Sequence, residues 1–162
     1  MLGNVYGLDL GTYEIKIFDK KKDRIWPEKN AIAMKNKKYV FAVGNEAYEM
    51  YEKAPADVQV IFAMKSGVIA HFDDMQYLLG SLLGNDRHFA RGGKYVMAVP
   101  TDVTEVEKKA FFDLVYHSEA KAKSVRIVER GLADAVGFGV DVLEEKGVFV
   151  ANFGGGTTEL SV

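Results

Sequence analysis

Two short stretches, near opposite ends of the chain, hold residues of the types and spacing that bind anions. One is Asn152-Phe153-Gly154-Gly155-Gly156-Thr157-Thr158-Glu159, entered by the apolar run Gly147-Val148-Phe149-Val150-Ala151 and left by Leu160-Ser161-Val162. Three consecutive glycines let a backbone approach a ligand closely and take up positive φ without strain. A tight turn that aims several N–H groups at one point is an anion nest. Taken alone, this turn fits an ordinary hairpin equally well. The second stretch, Val5-Tyr6-Gly7-Leu8-Asp9-Leu10-Gly11-Thr12 followed by Tyr13-Glu14-Ile15-Lys16-Ile17-Phe18, repeats the plan. Asp9 aligns with Asn152, and Gly11 with the glycine run. Two such turns suggest two hairpins holding one polyphosphate from two sides. No helix and no Gly-Lys-Ser/Thr follows either turn, which excludes a Walker loop. A carboxylate at position 9, beside a phosphate turn, can hold Mg²⁺ through the metal's waters. It can equally stabilise the turn itself.

The elements around these turns must position them. Period-2 alternation predicts a hairpin over residues 5–10 and 13–19, then a solvated turn at Lys20-Lys21-Lys22-Asp23. Short strands are expected at 24–27 and 31–34, a turn at 36–38 and a strand at 39–43. A helix opens at Gly44 and runs to about Tyr51. Pro55 and Asp57 interrupt the chain before a strand at 58–62, and Ser66-Gly67 marks a turn. Met75, Leu78, Leu79, Leu82 and Leu83 recur at helical spacing, with Asp73 or Asp74 as N-cap and Gly84 as the stop. A polar loop over 84–94 holds one large apolar residue, Phe89, among Arg87, His88, Arg91 and Lys94. Residues 95–100 read as a buried strand. A helix runs from Thr104 to about His117, a strand covers 124–128, and a helix covers 129–140 before the final hairpin. This order predicts the α/β class, a mixed sheet with flanking helices.

Composition sets bounds. The chain of 162 residues suits one compact domain with room for a small subdomain, and 48% apolar content supplies a core. A net charge of −2 leaves no nucleic-acid footprint. The absence of cysteine fits a reducing, cytoplasmic setting and excludes thiolate metal sites. No apolar run approaches the ~20 residues of a membrane span. The N-terminus enters the first strand directly, so no signal peptide is expected. His71, His88 and His117 show no metal-ligand spacing.

GLDLGT at 7–12 and NFGGGTTE at 152–159 resemble the phosphate-1 and phosphate-2 hairpins of the actin, sugar kinase and heat-shock chaperone superfamily. Between them AVGNEAYEM at 42–50, MKSGVIAHFDD at 64–74 and VPTDVTEVEKKA at 99–110 are similar to the MreB bacterial actins, in the same order and at similar spacing. The resemblance covers nearly the whole chain and corresponds to the first half of such a protein. It implies an actin-like (ribonuclease H-like) domain over 1–162, a small subdomain at about 30–65 beside the nucleotide cleft, and an absent second actin domain. It implies ATP and Mg²⁺ as ligands. Gly11, Thr12, Gly154, Gly155, Gly156 and Thr157 would hold phosphates, with Asp9 and Asn152 at the metal. Lys16 matches a lysine that actin and the FtsA branch use on the phosphates and that MreB usually lacks; it can equally point to solvent. Glu107 matches the glutamate that orients the attacking water. However, Thr104 and Glu107 also have the spacing of a capping box, which needs no catalytic role. The resemblance further implies filament self-association, contact with cell-wall or division machinery, and contact with the inner membrane surface through the Phe89 loop.

The chain departs from the family pattern in three places. Asn152 stands where aspartate is expected. Arg130 lies in Glu129-Arg130-Gly131, where MreB resembles Glu-Glu-Pro. A second half, with its adenosine-binding segment, is expected to be absent. Weak nucleotide binding and negligible ATP hydrolysis are therefore expected of this chain alone. The alternative from another class is a non-hydrolysing scaffold that binds protein partners. A sugar or acetate kinase fits the middle motifs less well.

Overall fold

A computed structural model describes residues 4–84, 92–144 and 147–162. The expected Phe89 contact, with Arg87, His88 and Arg91, lies outside them. Strands β1 (Val5–Leu10) and β2 (Glu14–Asp19) form the first hairpin, in which Asp9 sits directly opposite Lys16. β3 (Arg24–Lys29) adds antiparallel to β2 at one edge of the sheet. An edge is where a strand tolerates a proline such as Pro27. On the other side β9 (Lys94–Val99) pairs parallel with β1, and β10 (Ser124–Glu129) pairs parallel with β9. The result is a five-stranded mixed sheet in the order β10-β9-β1-β2-β3.

Alternation along these strands decides what each face does. Tyr6, Leu8, Leu10, Ile15, Ile17, Tyr95, Met97 and Val99 are buried in one core. Helix α2 (Phe72–Gly84) adds Met75, Leu78, Leu79 and Leu83 to it, and α3 (Glu105–Tyr116) adds Phe111, Leu114 and Val115. The intervening residues, Gly7, Asp9, Lys16 and Val96, face the other side. There α4 (Arg130–Gly137) brings Ala133 over them.

A second, antiparallel sheet is built from β4 (Ile32–Lys35), β5 (Tyr39–Val43) and β6 (Val58–Ile61), in the order β5-β4-β6. Helix α1 (Gly44–Glu49) packs on it around a small alanine core of Ala31, Ala33, Ala42 and Ala47. Its β4–β5 turn is closed by the N–H of Lys38 donating to Lys35 O at 3.1 Å, with Asn36 and Lys37 both at positive φ. Such a turn matches the twist of the flanking strands. A miniature hairpin, β7 (Met64–Lys65) and β8 (Val68–Ile69), carries Ser66-Gly67 at its tip.

Two expectations change at helix ends. Helix α2 begins at Phe72, so Asp73 and Asp74 lie inside its first turn and neither is its N-cap. The helix expected over 129–140 stops at Gly137. Gly139 takes φ 79°, its N–H donates to Val136 O, and the N–H of Val140 donates to Ala135 O. This is a Schellman ending, in which a left-handed glycine closes the last turn. The final hairpin, β11 (Val150–Phe153) and β12 (Thr158–Ser161), does not join the main sheet and stands as its own two-stranded sheet. Among the described residues no helix is long and apolar enough to cross a membrane.

Candidate functional site

The two glycine turns are closed the same way and meet. In the first, the N–H of Gly11 donates to Glu14 O at 3.1 Å; in the second, the N–H of Gly154 donates to Thr157 O at 2.8 Å. A Cβ on Gly156 would stand 2.6 Å from Thr12 Cγ2, and one on Gly155 would stand 2.7 Å from Tyr13 Cβ. Only residues without a side chain allow this approach. A cavity of about 230 Å³ opens between the turns. Gly11, Thr12 and Lys16 line it from one hairpin, and Gly154, Gly155, Gly156 and Thr157 from the other; Asp9 and Asn152 complete the set read from the sequence.

Two further residues fix the first turn, and neither belongs to a periodic pattern along the chain. Buried Asn30 donates its side-chain amide to Gly11 O at 2.9 Å and its N–H to Tyr13 O at 3.0 Å. Gly67, at the tip of the β7–β8 hairpin, donates its N–H to Thr12 Oγ1 at 2.9 Å. The Thr12 hydroxyl thereby ties the main sheet to this third turn.

The charges form a chain across the site. Lys16 Nζ lies 3.2 Å from Asp9 Oδ2. Arg130, only 7% exposed, sets Nε 3.5 Å from Asp9 Oδ1 and donates from Nη1 to Glu159 Oε2 at 2.8 Å. Glu159 also accepts from the N–H of Thr101 at 3.0 Å. Asn152 donates Nδ2 to Asp134 Oδ2 at 2.6 Å. Helix α4 comes close enough for these bonds because position 131 is glycine: a Cβ there would overlap the Ser161 side chain. Along the sequence Arg130 stands out only as a departure from the family pattern; its partners come from two different hairpins and have no signature along the chain.

Glu107 does not line the cavity. It completes the capping box of α3: its N–H donates to Thr104 Oγ1 at 3.2 Å, and its Oε2 accepts from the N–H of Thr104 at 2.7 Å. The Thr104 hydroxyl also donates to Oε2, at 2.7 Å. These bonds hold the Glu107 carboxyl below its ordinary value. A carboxylate held so is a weaker base.

Beside the phosphate-sized cavity lies a larger one of about 530 Å³ with aromatic walls. The Tyr13 hydroxyl donates to the Tyr48 hydroxyl at 2.7 Å, Tyr51 stacks on Tyr48, and Lys29 Nζ sits 4.2 Å from the Tyr13 ring centre. Thr12, Tyr13 and Gly155 belong to both cavities.

Comparison with known proteins gives a consistent result. The profile of the MreB/Mbl protein family matches residues 3–162. The chain is 31% identical to the cell shape-determining protein Mbl of Bacillus subtilis, over 100% of this chain and 49% of that protein. It is 32% identical to the cell shape-determining protein MreB of Escherichia coli, over 100% of this chain and 48% of that one. The chain therefore spans about half the length of the curated relatives it matches. Among solved structures it is similar to MreB5 of Spiroplasma citri bound to ADP, with a TM-score of 0.86 and 28% identity over 98% of this chain and 47% of that chain. The same protein bound to AMPPNP gives a TM-score of 0.87, covering 99% of this chain and 48% of that one. The MamK double helical filament, 18% identical with a TM-score of 0.77 over 97% of this chain and 49% of that chain, shares the fold.

Proposed function

The chain belongs to the MreB/Mbl family of actin-like proteins, and from that premise we propose that it is the phosphate-binding half of a cytoskeletal ATP-binding protein acting in cell shape and cell-wall organisation. One observation carries this reading: two glycine hairpins from opposite ends of the sequence enclose a single cavity with two cations, Lys16 and Arg130, in its wall. The polyphosphate of ATP or ADP is the ligand. The turns at Gly11-Thr12 and Gly154–Thr157 offer it backbone N–H groups and the hydroxyls of Thr12 and Thr157, the donor set of an anion nest. The similarity to a protein solved with ADP and with AMPPNP supports the same ligand class. Filament self-association belongs to the proposal and rests on the family resemblance. Contact with cell-wall or division machinery and with a membrane surface near Phe89 rests on the family resemblance alone.

Mg²⁺ is the metal the family implies, and the residues present fit it poorly. Asp9 is paired with Lys16 and Arg130, and Asn152 is neutral with its amide nitrogen on Asp134. A second reading, a scaffold without turnover, gains from the same residues and from Glu107 being held in a helix cap.

Titration of this chain with ATP, followed by amide NMR, tests the proposal. Binding is expected to be weak, on the order of millimolar, with shifts concentrated at Gly11, Thr12 and Gly154–Thr157. Shifts absent from both turns at saturating ATP overturn it. Phosphate release above background would remove the scaffold reading.

A further inference from the structure

We infer that Arg130 stands in for the divalent cation at this site, so that a polyphosphate binds this chain without Mg²⁺. The inference rests on the phosphate-site reading above and specifies its chemistry. The guanidinium lies between Asp9 on β1 and Glu159 on β12. It therefore links carboxylates from two separate hairpins, as a bridging metal ion would.

Helix α4 does not explain the residue. Arg130 is the first residue of α4, whose first turn contains no acid. A helix N-terminus carries partial positive charge and favours anions. A cation there is misplaced unless something else holds it, and here the two carboxylates do. Its burial points the same way, since a buried charge needs partners. Two buried atoms are left over among the described residues: Arg130 Nη2 has no acceptor and Asp9 Oδ1 has no hydrogen-bond donor. The guanidinium is a planar fork suited to phosphate oxygens, on a residue in the wall of the cavity between the glycine turns.

The donor set excludes a strong metal site. Mg²⁺ prefers one or two free carboxylates together with substrate phosphates. Asp9 is neutralised on both sides, and Asn152 adds no charge. Among the described residues no group of three or more histidine or acidic side chains is placed to hold a metal. The remaining acid in the cavity wall, Glu14, is paired with Lys29 at 3.0 Å. A divalent ion beside Asp9 would also lie against the Arg130 charge and be repelled by it.

Two measurements on the intact chain test this. In the first, Mn²⁺ is titrated as a paramagnetic stand-in for Mg²⁺, with the amides of Asp9 and Asn152 observed by NMR. The wild type is expected to show no selective broadening there, and Arg130→Gln to gain it, because Glu159 loses its cation and Asp9 keeps only its pair with Lys16. Selective broadening in the wild type, or none in a folded Arg130→Gln, overturns the inference. In the second, tripolyphosphate affinity is measured in EDTA and in Mg²⁺. The wild-type values are expected to agree within about threefold, and a gain of about tenfold or more with Mg²⁺ overturns the inference. If tripolyphosphate binds in neither condition, the phosphate-site reading fails, while the Mn²⁺ titration still decides the role of Arg130. If Arg130→Gln does not fold, the wild-type titrations decide.

Discussion

Asn152 donates its side-chain amide to Asp134 at 2.6 Å, while its register partner Glu159 accepts from Arg130 at 2.8 Å. Arg130 and Asp134 are four apart on α4 and share a face. Helix and hairpin are thus joined by two parallel polar pairs. The pairing explains the asparagine: an aspartate at 152 would set one carboxylate against another. Asn152→Asp is expected to destabilise the fold by about 1–3 kcal/mol at neutral pH. The loss should shrink on acidification, because protonating one carboxyl restores a donor. Adding Asp134→Asn should recover most of it. Urea unfolding at pH 7 and pH 5 provides the check, and an unchanged midpoint for Asn152→Asp at pH 7 shows that the pair does not form.

Two glycines should respond to alanine in opposite ways. At position 156 a Cβ meets Thr12 Cγ2 at 2.6 Å and Thr12 Cβ at 2.9 Å, so the turns must separate. Overpacking of this kind costs about 1–3 kcal/mol, and tripolyphosphate binding should fall with it. At position 80, inside α2, an added Cβ meets nothing within 4 Å. Gly80→Ala is therefore expected to stabilise by roughly 0.5–1 kcal/mol through helix propensity. Unfolding the two variants side by side separates a spacing requirement from a general intolerance of substitution.

What could be read from the sequence follows from the range of the interactions involved. The β1–β2 alternation, the apolar face of α2 and the glycine turns are local patterns, and all three stand in the structure. For the β7–β8 hairpin the sequence shows only a turn, because two-residue strands have no period to detect. The separate sheet of β11 and β12 could not be read, since element order does not say which strands pair. Within the site, the turn residues were legible as types. Their supports were not: Asn30 reaches back to Gly11, Gly67 to Thr12, and Arg130 to both Asp9 and Glu159. These contacts join residues distant in sequence and are created by the fold.

The α3 cap offers a pH-dependent test. Thr104→Ala is expected to cost about 1 kcal/mol, as loss of a helix N-cap does. The Thr104 hydroxyl, then its N–H, hold the Glu107 carboxyl below 4.5. A group whose folded value is depressed contributes stability above its unfolded value and loses it as pH falls through the folded one. The gap between wild type and Thr104→Ala should therefore narrow between pH 5 and pH 3. Thermal melts at both values are decisive, and an equal gap at the two would mean that the bond between the Thr104 hydroxyl and the carboxylate contributes nothing to the cap.

Tyr95 provides a test at the alkaline end. Its ring stacks on Tyr6 at 5.1 Å, and its buried hydroxyl has no hydrogen-bond partner among the described residues. Burial, with a smaller contribution from Tyr6, pushes its phenol above the usual tyrosine range. A raised folded value means that the stabilisation is complete below the unfolded value, about 10, and is lost as pH rises from there. Tyr95→Phe keeps the stack and removes the orphaned hydroxyl. It should be neutral at pH 7 or stabilising by up to about 1 kcal/mol, and it should lack the Tyr95 share of the alkaline loss. Urea unfolding at pH 7 and near pH 10.5 measures both effects. A clear destabilisation of Tyr95→Phe at pH 7 would show that the hydroxyl is bonded in solution.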